Sequence, residues 1–97
     1  MGQLAWISVY VLVVLPIDVN DNRRHVHIFR RQQRKQKCVA KIWIESNGEK
    51  NIEIAYSELS TKENDKIIIT IDKNWNYIND RISDIFNGKK IITKELK

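Results

Sequence analysis

Residues 60–87 constrain this chain more than any other stretch. Large apolar side chains recur at Ile67, Ile71, Trp75, Ile78, Ile82, Ile85 and Phe86. Their spacing keeps them on one face of a helix with a period of 3.6. Ser60 and Glu63 have the spacing of a capping box, in which the hydroxyl accepts an amide and the carboxylate returns to the cap amide. Asn87-Gly88 is a pair that tolerates left-handed geometry, where helices commonly stop. The β-branched run Ile67-Ile68-Ile69-Thr70-Ile71 favours a strand on propensity alone. A strand would leave the capping box nothing to cap and would cut a stripe that continues to Phe86. The pattern therefore predicts a helix. Straight, it would span about 40 Å, in a domain whose radius of gyration should be about 12–13 Å. One helix bent near Asp72-Lys73-Asn74 resolves the conflict, with Asn74 placed to cap a second segment.

Upstream of the helix the periodicity is that of strands. The uncharged run from Leu4 to Ile17 is shorter than the roughly 20 residues of a membrane-spanning helix. It lacks the positive lead and small-residue cleavage site of a signal peptide, and Trp6 stands where a myristoylation signal needs Ser or Thr. Trp6 to Val14 is β-branched and aromatic, so it reads as one long buried strand ended by Pro16. The stretch from Arg24 to Arg30 alternates, with Val26 and Ile28 on one face and His25, His27 and Phe29 on the other. In the next strand Cys38, Ala40, Ile42 and Ile44 fall on the core face, opposite Val39, Lys41, Trp43 and Glu45. Asn47-Gly48 marks a hairpin turn, after which Ile52, Ile54 and Tyr56 continue the core face. The tail from Lys89 to Lys97 adds an edge strand or frays.

The expected fold class is therefore α+β: an antiparallel sheet of three or four strands, covered on one face by a long C-terminal helix. It forms a single domain over residues 1–97, with strands and hairpins in 4–59, the helix in 60–87 and a tail in 88–97. The one cysteine, Cys38, allows no intrachain disulfide, fits a reducing cytoplasmic setting and reads as a small buried hydrophobe.

Charge is where function enters. The net charge is +5. Arg23, Arg24, Arg30, Arg31, Arg34, Lys35 and Lys37 place seven cations within residues 23–37, with no acid among them. The remainder carries ten bases against twelve acids, so the basic character is local. Such a cluster on a hairpin attracts a polyanion, because phosphate backbones release counterions to it; an acidic protein partner and a solvated loop that merely keeps an edge soluble are the other readings. On the sheet face away from the helix, His25, His27, Phe29, Lys41 and Trp43 set aromatics beside cations, which suits unpaired bases or a homodimer contact. His25 and His27 point the same way about 7 Å apart, a spacing that presents two imidazoles to a metal or an acid and a base to a phosphodiester, with Asp18 and Asp21 just upstream. With two histidines in the chain, no metal-site or Cys-rich pattern is completed, and three glycines leave little material for a phosphate loop. No cofactor is expected.

His25-Val26-His27-Ile28, then Ala40-Lys41-Ile42-Trp43-Ile44-Glu45, then Ser60-Thr61-Lys62-Glu63, with Asn74 through Phe86 and Gly88 closing, resembles a small bacterial family, domain of unknown function forty-one-sixty. The likeness covers roughly residues 18–88. Arg23-Arg24 replace prolines common in that family, the basic connector is longer, and Ile82 stands in place of a Trp. The resemblance implies a partner-dependent cytoplasmic module of the toxin–antitoxin kind. The expectation is thus a small binding module, in which Arg23, Arg24, Arg30, Arg31, Arg34 and Lys35 contact phosphate or carboxylate. His25, His27, Lys41 and Trp43 add the more specific contacts, to RNA, DNA or a small protein. The alternatives are a ribonuclease-like enzyme using His25 and His27, and a structural homodimer without ligand. No membrane contact is expected.

Overall fold

A computed structural model describes residues 2–14, 24–31, 38–45 and 51–97. In chain order they form β1 (Gly2–Ile7), β2 (Tyr10–Val14), β3 (His25–Arg30), β4 (Cys38–Glu45), β5 (Asn51–Ser57), α1 (Thr61–Lys73), α2 (Trp75–Phe86) and β6 (Lys94–Glu95). The strands make one sheet in the order β5-β4-β3-β2-β1-β6. All neighbours are antiparallel except β1 and β6, which run parallel. The class is α+β as expected, but the sheet has six strands and is mixed, and the helical segment is two helices.

One of the extra strands comes from the apolar run read as a single strand. β1 and β2 fold back on each other through Ser8-Val9, and Ser8 takes a φ of 55°, the one positive φ among the described non-glycine residues. A two-residue hairpin with positive φ at its first central position has the hand that matches strand twist. Glycine usually fills that place, and a left-handed residue with a side chain costs about 1–2 kcal/mol. Burial offsets it: Leu4, Ala5, Ile7, Tyr10, Leu12 and Val14 all enter the core beneath the helices. The other is β6 in the tail, which pairs beside Ala5 and Trp6, and the amide of Leu96 donates to the Trp6 carbonyl at 2.7 Å.

The helix ends are built as their sequence signatures specify. The Ser60 hydroxyl accepts from the Glu63 amide, and the Glu63 carboxylate accepts from the Ser60 amide. At the far end Gly88 has φ 73°, its amide donates to Ile85 O and that of Lys89 to Asp84 O, the paired bonds of a Schellman motif. The break falls at Asn74. Its side chain does not cap α2; it donates back to the Thr70 carbonyl at 2.8 Å and so closes α1. The break has a geometric reason, since α1 lies on β5 and α2 on β1. The molecule measures 31 × 30 × 23 Å, too short for a straight helix of about 40 Å. Ile67, Ile71, Ile78 and Ile82 are sealed in the core, with Trp75, Ile85 and Phe86 packed at its margin. No described helix is long and apolar enough to cross a membrane.

Three irregularities decide which side chains face away from the helices. The ladder shifts at Leu4 in β1, at Val39 in β4 and at Ala55 in β5. An extra residue on one strand reverses the alternation beyond it. Val39 consequently enters the main core while Cys38 packs against the opposite cluster, the reverse of the strict alternation expected. Beyond Ala55, Tyr56 pairs with Lys41 on the outer face instead of continuing the core row, and it is 45% exposed. The face assignment of β3 holds, with Val26 and Ile28 inside and Phe29 outside. The Asn47-Gly48 turn lies outside the described residues.

Candidate functional site

Directly paired residues share a sheet face, so the register lays out the helix-free side in rows. One row is Trp6, Val11, Phe29 and Cys38; the next is Val13, His27, Lys41 and Tyr56; the third is His25, Trp43 and Glu53. Val11, Val13 and Phe29 are buried and form a second apolar cluster with Trp6 and Cys38 at its edge.

The two imidazoles do not share a fate. His25 is 1% exposed, with its ring edge-on to His27 at 5.0 Å and to Trp43 at 5.1 Å. It is a packed side chain and does not meet solvent, contrary to the expectation that both histidines stand free. His27 is half-buried, and its Nδ1 lies 3.6 Å from Cys38 Sγ. Lys41 holds its ammonium 4.5 Å over the Trp43 ring.

The cations separate in the same way. Arg24 reaches the helical layer, donating to the Asn79 carbonyl at 2.8 Å and to the Ser83 hydroxyl at 3.3 Å, with its guanidinium 5.6 Å over Phe86. It fastens the start of β3 to α2, and burial lowers its pKa from the ordinary value. Arg30 lies 5.7 Å over Tyr10. Arg31, just past the end of β3, is exposed; it donates to the Ser8 carbonyl at 3.3 Å and sits 4.0 Å over Trp6. Asp18, Asp21, Arg23, Arg34 and Lys35 lie outside the described residues. Among the described residues no group of three or more His, Cys, Asp or Glu side chains is arranged to hold a metal.

Two further residues belong to the outer face. Trp6 comes beside Arg31 only through the β1–β2 hairpin, which the apolar run does not signal. Tyr56, a core residue by strict alternation, is turned towards Cys38 by the bulge at Ala55. Its phenol is pushed up to about 12, first by the hydrogen bond to Cys38, then by burial and by the charges of Cys38 and Glu58. Replacing Cys38 with alanine is expected to bring that value down towards the ordinary 10.0, read from the Tyr56 ring resonances during a pH titration. A raised phenol also means that the unfolded chain ionises first. Its contribution to stability is whole below pH 10 and is lost as pH rises towards about 12.

No protein-family model matches the chain, and no curated protein or solved structure does. Function is therefore read from the arrangement of these residues.

Proposed function

We propose that this chain is a small binding module for a polyanion, taken up at the end of the sheet where β3 passes to β4. The observation that carries the reading is the one-sided placement of charge. No acid occurs from Asn22 to Ile44, and the connector between β3 and β4 opens with exposed Arg31 and carries Arg34, Lys35 and Lys37. Cations gathered without counter-charges are self-repelling and costly to the fold, so a ligand that neutralises them is strongly favoured. Arg31, Arg34 and Lys35 make the contacts, with Arg30 beside them. Arg24 positions the strand, because its Nη2 already donates to Asn79 and Ser83 in the helical layer. In the toxin–antitoxin setting that the family resemblance implies, the same surface meets an acidic partner protein.

Retention on heparin and on mixed RNA across a salt series tests this. About six phosphate contacts give a log–log slope of about −4 to −5. Absence of retention, or a flat response to salt, overturns the proposal.

A further inference from the structure

Resting on the polyanion reading, we infer that Arg31, held over the Trp6 ring, is a station for an unpaired nucleobase, so that the ligand is single-stranded nucleic acid. Arg31 differs from an ordinary surface arginine in being both exposed and fixed. Its Nη1 donates to the Ser8 carbonyl at 3.3 Å and its amide donates to Val9 O at 2.8 Å. The guanidinium carbon lies 4.0 Å from the centre of the Trp6 ring, nearer than the guanidinium carbons of Arg24, Arg30 and Arg81 lie to their rings. Among the described residues no carboxylate pairs with it. Val9, 50% exposed, adds an apolar neighbour in the same turn. The left-handed Ser8, whose φ is 55°, presents the carbonyl that holds the guanidinium. Strain of this sort persists where the surroundings over-determine it.

An acidic polypeptide rewards cations in almost any geometry, and flexible lysines serve it well. A guanidinium held over an indole rewards something else: a planar ring placed on top, giving three layers of base, arginine and indole. Duplex bases already occupy a stack and cannot enter. Unpaired bases can, and each stacked base adds affinity with little dependence on sequence. Arg34, Lys35 and Lys37 lie within six positions of Arg31 in the sequence, so cations suited to phosphate accompany the stacking station along the chain.

The test compares a labelled single-stranded RNA, the same RNA annealed to its complement, heparin and polyglutamate, using the intact chain and its Arg31→Lys and Trp6→Leu variants. Arg31→Lys keeps the charge and removes the plane, at an exposed position where thermal melting should not change. The intact protein is expected to bind the single strand about tenfold more tightly than the duplex. Arg31→Lys and Trp6→Leu are each expected to lose about tenfold for the single strand and no more than about twofold for heparin. Equal binding of single strand and duplex, or an Arg31→Lys variant with undiminished single-strand affinity, overturns the inference and leaves the polyanion reading standing. Preference for polyglutamate overturns it in favour of a protein partner. Failure to bind any of the four overturns both.

Discussion

Replacing Ile78 with alanine is expected to cost about 3–4 kcal/mol of folding stability, a large share of the roughly 5–15 kcal/mol of a small domain. Ile78 is in the first turn of α2, fully buried in the cluster that joins the helix to the sheet. Truncation removes buried methyl groups and leaves a void that rigid strands on one side cannot fill, so the cavity adds to the lost transfer energy. The control is Ile69 of α1, which is 53% exposed despite its place in the isoleucine run. Ile69→Ala should change stability by no more than about 0.5 kcal/mol. Urea unfolding checks both: the midpoint for Ile78→Ala should fall with its slope unchanged, and that for Ile69→Ala should hardly move. Equal losses at the two sites would mean that the helix presents a different face to the sheet.

The contrast between those isoleucines shows which features were legible. Both helix ends were, because capping boxes and Schellman motifs are closed by residues within a few positions of one another. The buried stripe was legible for a related reason, since a period of 3.6 is a property of the local chain. Length alone called for a bend near Asn74, but neither the full break into two helices nor the direction of the Asn74 side chain followed from it. Asn74 had two neighbouring helix ends to serve, and its amide bonds the carbonyl behind it.

What local patterns could not carry was parity. Strand alternation tells which residues share a face only while the ladder stays regular. One extra residue at Val39 and one at Ala55 moved Cys38 and Tyr56 to the outer face. The Ser8-Val9 turn was hidden because it has none of the Gly, Asn or Asp that usually signals a tight hairpin, and nothing in the apolar run marks where to fold. Arg24 presents the same difficulty for charge. In sequence it belongs to a basic cluster, but its partner Asn79 is 55 residues away, and only the packing of α2 against the sheet brings them together.

Replacing His25 with alanine separates a structural imidazole from a chemical one, with an expected stability loss of about 2–3 kcal/mol. His25 is 1% exposed and edge-packed between His27 and Trp43 on the outer face. Removing the ring opens a void and releases two aromatic neighbours that it holds in place. A ribonuclease-like reading needs His25 and His27 to reach opposite sides of a phosphodiester, and a ring sealed to this degree has no path to one. The variant should therefore melt earlier, yet bind RNA within about twofold of the parent when both are folded, since the proposed phosphate contacts involve Arg31 and not His25. His27→Ala, at a half-buried site, should lose less stability than His25→Ala. Denaturant midpoints and RNA retention, measured on the same samples below the melting transition, give both readings at once. An unmodified protein that cleaves RNA, with cleavage lost in a His25→Ala variant of undiminished stability, would return His25 to the chemistry and displace the binding-module account.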